Sequence, residues 1–288
     1  MKKPAPTVTP NTWDFLKDPM ITPTGFREYD ARWKYPDEIN LPGITALGLG
    51  LGTQMHARGI KPEIAVANDY RDYSLSIKNA LILGLMQAGI SVKDIGPAVS
   101  PMAYFSQFYL DVPAVAMVTA SHNPNGWTGV KMGFDRPLTH GPDEMSELRD
   151  IVLEGRGQAR PGGAYEFVDG VKEAYLDDLA GDFKMSRKLK VVCATGNGTA
   201  CAFAPDLFRR IGVEVVESHN TLDYTFPHYN PNPEAMEMLH DMADSVKASG
   251  AEFALGCDGD GDRCGVVDEV GVEGFADEVG GIWAREGG

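Results

Sequence analysis

No apolar run in the sequence approaches the ~18 residues that a membrane-spanning helix needs, and the amino terminus lacks the hydrophobic stretch of a signal peptide. Lys2 and Lys3 are followed by Pro4, Pro6 and Pro10 with polar residues between them, which gives a signal peptidase nothing to follow. A soluble protein with a cytoplasmic address is the expectation. Positive charge is also short: 26 Lys and Arg face 41 Asp and Glu, a formal net charge of −15. That balance repels nucleic acid and anionic lipid at long range, so neither is an expected partner, and an anionic substrate has to be won by local cations. Cysteine is scarce as well. Cys193, Cys201, Cys257 and Cys264 fall at spacings of eight and seven, neither being the tight pair of structural zinc sites or redox dithiols. All four read as buried thiols.

What is present is an alternation of strand and helix patterns over 288 residues, enough for two domains at about 100 to 200 residues each. After a proline-spaced arm at residues 1–25, helical patterns at 44–58, 74–88, 102–110 and 142–152 alternate with short apolar runs at 64–67, 92–95, 113–118 and 130–134. The stretch from Gly155 to Gly163, rich in Gly, Arg and Pro, reads as a linker between a first domain at 26–163 and a second at 164–268. In the second, a helix at 171–179, a strand at 189–193, a Gly196-Asn197-Gly198 turn, a helix at 199–211 and a strand at 213–216 precede a further helix around Met238 to Val246 and two strands at 253–257 and 265–267. The fold class is therefore α/β: two consecutive domains, each a mixed sheet with helices packed on its faces.

Between the last two strands lies Asp258-Gly259-Asp260-Gly261-Asp262-Arg263. Three carboxylates two residues apart can converge where glycine relieves the backbone. At ~4 Å and an effective dielectric near 20, each like-charge pair costs up to about 4 kcal/mol, and a bound cation removes that cost. Hard oxygen ligands, completed by a phosphate oxygen, suit Mg²⁺. A solvated acidic turn, an EF-hand with Glu269 at the twelfth place but Arg263 where glycine is required, and an aspartyl-phosphate site are the rival readings. A second motif, Thr119-Ala120-Ser121-His122-Asn123-Pro124, directly follows the strand ending at Val118. A serine at a strand's carboxyl end, where open α/β sheets bind ligands, has its hydroxyl placed for nucleophilic work; an Asn-Pro turn is the bland alternative. Lys131 lies ten residues on, on the next strand. Gly48, Gly50 and Gly52 make only a poor dinucleotide fingerprint, since Thr53 stands at the last glycine's place and the segment begins inside a helix. The Gly196-Asn197-Gly198 segment reads as a structural turn.

Taken together, TASHNP with Lys131 and DGDGDR near residue 260 resemble the phosphohexomutase family of phosphomannomutases and phosphoglucomutases. FREYDAR at 26–32, the Asp69/Arg71 pair and the segment from Phe226 to Pro233 extend the resemblance over nearly the whole chain from Phe26. Trp33 and Ala194 depart from the family pattern, standing where Gly and Asp are common. The resemblance implies a Mg²⁺-dependent phosphoserine enzyme that moves a phosphoryl group between the 1- and 6-positions of a hexose phosphate through a bisphosphorylated sugar. By resemblance Ser121 carries the phosphoryl group, and Asp258, Asp260 and Asp262 hold the metal with it. Lys131 shuttles a proton, Arg32 and Arg263 steady phosphoryl charge, His122 is catalytic, and Tyr29 and Asn123 bind substrate. A phosphatase or phosphotransferase half-site, or a non-enzymatic metal-binding module, is the alternative. The family's third domain, with its sugar-reading loop, and its fourth are not matched, so residues 269–288, with Phe275, Ile282 and Trp283, read as the start of a third domain. The chain is then expected to be the amino-terminal part of a larger enzyme and inactive by itself.

Overall fold

The computed structural model describes residues 12, 16–181, 183, 185–274, 279–281 and 284–285. Most of the proline-spaced arm and the tail residues Phe275, Ile282 and Trp283 lie outside them. The chain divides into two compact units, the first comprising residues 1–120 and 124–171 and the second residues 121–123 and 172–288.

The first unit is built on a six-stranded mixed sheet. Its strands are β1 (Ala31–Lys34), β2 (Glu63–Asn68), β3 (Ser91–Pro97), β4 (Ala114–Val118), β5 (Trp127–Gly133) and β6 (Ala164–Phe167), in the spatial order β1-β5-β4-β2-β3-β6. The run β4-β2-β3-β6 is parallel and β1-β5-β4 antiparallel. All five residues of β4 are buried, as expected of a central strand covered on both faces. Helices α1 (Leu41–Ala57), α2 (Ser74–Gln87), α3 (Ser100–Tyr109) and α4 (Pro142–Leu153) pack around it. Asn40 starts α1 by accepting from the Gly43 amide at 2.8 Å, with Pro42 in the first turn. The glycines of α1 serve packing, not a nucleotide: a Cβ at Gly48 would lie 2.2 Å from the Leu81 carbonyl oxygen, and one at Gly84 2.0 Å from that of Thr45. Backbone therefore meets backbone where α1 and α2 cross. Trp33 fills the space over Gly25, its indole N–H donating to the Thr22 carbonyl at 2.9 Å and its ring meeting Phe26 edge-on.

Two expectations about organisation differ from this. The segment 155–163 is not a free linker: Arg160 N donates to Gln87 O at 2.8 Å and Gln158 N to Thr53 Oγ1 at 2.9 Å. Beyond it β6 adds a sixth strand to the first sheet, so the first unit runs on to Val171. All four β6 side chains are exposed, Tyr165 and Phe167 among them, and the strand is only four residues long.

The second unit holds α5 (Val171–Ala180), β7 (Lys190–Ala194), α6 (Ala204–Arg210), β8 (Glu214–Ser218), α7 (Met236–Ser249), β9 (Phe253–Cys257), β10 (Cys264–Asp268) and β11 (Glu273–Gly274). Its sheet runs β11-β10-β9-β7-β8, parallel across β9-β7-β8 and antiparallel across β11-β10-β9. Met238, Leu239, Met242 and Val246 of α7 cover Val192, Ala194 and Ala254. The helix expected at 199–211 is two pieces, a 3₁₀ turn at Thr199–Ala202 and then α6, because Pro205 supplies no amide to continue the first. Residues 273–274, expected in a third domain, pair with β10. The cysteines also differ. Cys193 is buried, and burial pushes its thiol up to about 12; Cys201 and Cys257 are half-buried, and Cys264 is exposed. Strand alternation explains the last case, since Gly265 and Val267 take the inward face of β10.

Candidate functional site

The first unit fixes the approach to Ser121 with buried ions. Asp69, just past β2, is fully buried; its carboxylate pairs with Arg71 and accepts from Ser74 Oγ and, at 3.3 Å, from the Ala120 amide. From the other side Arg32 of β1, 6% exposed, donates to the Ala120 carbonyl and pairs with Asp30. The Thr119 amide donates to Gly129 O at 3.1 Å. The peptide before the serine is thus held at both its N–H and its C=O. Lys131 sits on β5 with Met117 opposite it on β4, and its Nζ donates to Ser100 Oγ, at the start of α3, at 3.3 Å. Tyr29 stands 61% exposed with a left-handed backbone, on the wall of a cleft shared with Phe134, His140 and Glu144.

Ser121, His122 and Asn123 group with the second unit. Ser121 is 3% exposed and has φ of 52°, a left-handed conformation that costs a non-glycine residue of order 1 kcal/mol or more and collects at functional sites. Its Oγ lies 3.0 Å from Asp258 Oδ2 and 3.0 Å from Arg263 Nη2. The hydroxyl donates to the carboxylate and accepts from the guanidinium. His122 Nδ1 is 3.5 Å from the same oxygen, and its carbonyl accepts from Asn230 Nδ2 at 2.6 Å. Asn123 is half-buried.

The acidic loop is built around Asp258. Its Oδ1 accepts from the amides of Asp262 and Arg263 at 3.0 and 3.2 Å, and its Oδ2 faces Arg263 Nε at 3.3 Å. Gly261 takes φ of 71°, which lets the loop turn back on itself. Asp258 and Asp260 are fully buried. Asp258, Asp260 and Asp262 each present a carboxylate oxygen within 4.8 Å of the others, the one such cluster among the described residues. An all-oxygen donor set of this kind fits a hard divalent cation. The flanking elements are strands, not helices, which removes the EF-hand reading.

Sequence reasoning missed two supports. The Gly196-Asn197-Gly198 turn is the shelf under the acidic loop: Thr199 N donates to Gly259 O at 3.1 Å, and a Cβ on Gly198 would lie 3.2 Å from Gly259 Cα. Asn230 holds the His122 carbonyl from the connection after β8. Its surroundings, Asn230-Pro231-Asn232-Pro233, were the available signal, because side-chain amides next to prolines are fixed hydrogen-bonding groups.

Comparison with known proteins agrees with these features. The family description "Phosphoglucomutase/phosphomannomutase, alpha/beta/alpha domain I" matches residues 23–158, and that for domain II matches residues 168–271. A phosphomannomutase/phosphoglucomutase of Pseudomonas aeruginosa is 32% identical over 270 residues, covering 94% of this chain and 58% of that protein. A phosphomannomutase of Escherichia coli K12 is 34% identical, covering 88% and 57%. The crystal structure of a phosphoglucomutase/phosphomannomutase family protein from Burkholderia thailandensis superposes with a TM-score of 0.85 at 31% identity, covering 93% of this chain and 60% of that one. The chain thus spans somewhat over half the length of these relatives.

Proposed function

The chain belongs to the phosphoglucomutase/phosphomannomutase family, and on that premise we propose that it carries the phosphoserine and metal-binding part of a cytoplasmic hexose phosphate mutase. The observation that best supports this reading is the pair of partners on Ser121: a carboxylate that accepts its proton's hydrogen bond and a guanidinium that neutralises charge arriving at its oxygen. Phosphoryl transfer asks chiefly for positioning and charge neutralisation. Ser121, carrying the phosphoryl group, gives it to the free hydroxyl of a hexose monophosphate: the bond from Ser121 Oγ to phosphorus breaks as the sugar oxygen bonds to phosphorus, and the sugar's proton ends on Ser121 Oγ. Ser121 Oγ then takes the phosphoryl group from the other end of the bisphosphorylated sugar, its proton going to the sugar oxygen released there.

Asp258, Asp260 and Asp262 would hold Mg²⁺, which when bound supplies positive charge against the phosphoryl oxygens. Arg263 steadies the same charge from the protein side. Lys131 as proton shuttle, Arg32 as a second phosphoryl cation, His122 as a catalytic group, and Tyr29 and Asn123 as substrate contacts enter the proposal through the family motifs they match. The 288-residue chain alone is proposed to accept a phosphoryl group without sustained mutase turnover, which a coupled assay on the purified chain tests.

The deciding experiment incubates the protein with a hexose 1,6-bisphosphate and maps the product by intact mass and peptide analysis. One phosphate on Ser121 is expected. Label on an aspartate of the acidic loop would move the activity to the phosphatase class. The label also separates a bare metal-binding module from an enzyme: by calorimetry Asp260→Asn abolishes divalent binding in both cases, but only an enzyme takes up label at Ser121.

A further inference from the structure

Six residues lie between Cys257 and Cys264 in sequence, but the two cysteines are Cα partners in the antiparallel ladder, one ending β9 and the other opening β10. The Asp258 amide donates to the Arg263 carbonyl at 3.3 Å, which makes 258/263 a hydrogen-bonded pair. Its neighbour 257/264 is therefore of the non-hydrogen-bonded kind, in which Cα atoms lie about 4.5 Å apart and the side chains approach each other on one face. That separation falls within the roughly 4.4 to 6.8 Å that a disulfide spans. Both cysteines are reduced; Cys264 is exposed and Cys257 half-buried. Cys193 is a poorer partner. It lies on the parallel neighbour β7 opposite Leu255, not opposite Cys257.

We propose that Cys257 and Cys264 form a reversible dithiol–disulfide pair, a modification site that closes the base of the acidic loop, with a small-molecule disulfide as oxidant. The exposed Cys264 thiolate attacks one sulfur of the oxidant, and the first small thiolate leaves. Cys257 then attacks Cys264 Sγ in the mixed disulfide, displacing the second. Two protein thiols are oxidised and one small disulfide is reduced to two thiols. The bond joins the residues immediately before Asp258 and immediately after Arg263, so it restrains opening of the whole loop. One accessible thiol is enough for a small disulfide to reach the pair.

The test treats the full chain at about pH 8.5 with excess hydroxyethyl disulfide. Expected are a loss of about 2 Da, a proteolytic peptide joining the segments that contain Cys257 and Cys264, and recovery with dithiothreitol. Amide exchange over residues 259–263 slows by about tenfold or more in the oxidised chain. Cys264→Ser, at an exposed position, keeps the fold and shows no mass loss. A stable mixed disulfide on Cys264 with Cys257 still reduced, a bridge to Cys193 or Cys201, or a mass loss that survives Cys264→Ser would overturn the proposal.

Discussion

Buried ions hold the peptide before Ser121 in the first unit, with Asp69, Arg71 and Arg32 closing on Ala120, whereas the second unit holds its acidic loop with backbone amides turned inward onto Asp258. An ionic scaffold is strong but intolerant, because removing one member strands its partner's charge away from water. An amide scaffold tolerates changes of side chain but depends on small residues that let the backbone turn and approach.

The sharpest way to break this contrast is Asp69→Ala. It leaves Arg71 buried without its carboxylate and releases the Ala120 amide, and should destabilise the first unit by about 3 to 5 kcal/mol in urea unfolding. A loss below about 1 kcal/mol would mean that the ion pair does not hold the unit together. Asp258→Asn comes next and should behave differently. Its carbonyl can still accept the Asp262 and Arg263 amides, so the fold survives. The lost charge beside Ser121 and Arg263 should lower the phosphoryl labelling rate on the order of 10²- to 10³-fold. Unfolding of Asp258→Asn as complete as that of Asp69→Ala would erase the distinction between the two scaffolds.

A third test uses pH and concerns the first unit alone. His140 is 2% exposed, and burial, its dominant influence, pushes its imidazole down to about 4. Gln54 Nε2 donates to the Glu144 carbonyl and to Glu147, so Gln54 Oε1 is left to accept, and His140 Nε2 carries the proton toward it at 3.0 Å. Between pH 6.5 and about 4 the unfolded chain binds the proton that the folded chain refuses, so stability falls as pH falls through this window. The full difference is about 3 kcal/mol. Backbone hydrogen bonding, and then Arg58, holds Glu144 below its ordinary range, and against the cost of burial Gln54 and Arg58 hold Glu147 below its own. They act in the same direction, so the comparison must be with His140→Leu, whose unfolding midpoint should change less between pH 7 and 4.5 than that of the wild type. Equal slopes would remove the buried imidazole as the cause.

Legibility in the sequence followed the same division. Ser121, Lys131 and the three aspartates stood out as candidates because each lies in or near a short contiguous motif beside a strand with a clear apolar run. The helices at 44–58 and 74–88 were readable from periodicity, although α1 begins three residues earlier, where Asn40 caps it and Pro42 fits its first turn. What was not readable depends on residues distant in sequence. The Gly196-Asn197-Gly198 turn looks self-contained until Thr199 is seen bonding to Gly259, and β6, with only Tyr165 and Phe167 around Glu166, is too short to stand out from the glycine-rich segment before it. Asp69 could be recognised as a motif residue, but its grip on Ala120 spans 51 residues. The left-handed backbone of Ser121 follows from its partners in the second unit, which no local rule supplies.

The smallest expected effect sets two glycines against each other. Gly48→Ala in the first unit drives a methyl toward the Leu81 carbonyl, 2.2 Å from its Cβ position. Two helix backbones would have to separate, and overpacking of this sort costs about 1 to 3 kcal/mol, only partly offset by alanine's helix preference of about 1 kcal/mol. Gly198→Ala meets Gly259 Cα at 3.2 Å and its oxygen at 3.3 Å, so a shift of a few tenths of an ångström suffices. Its φ of −78° is open to alanine, and the lower entropy of the unfolded chain returns about 0.4 to 1 kcal/mol. The net change in stability should therefore stay under about 1 kcal/mol. The shift, however, falls on Gly259, between the proposed ligands Asp258 and Asp260, and calorimetry should find Mg²⁺ binding weakened several-fold. If Gly198→Ala instead destabilised the chain as much as Gly48→Ala and left Mg²⁺ affinity unchanged, the turn would be a packing element like the α1 glycines, and the acidic loop would take its shape from Asp258 alone.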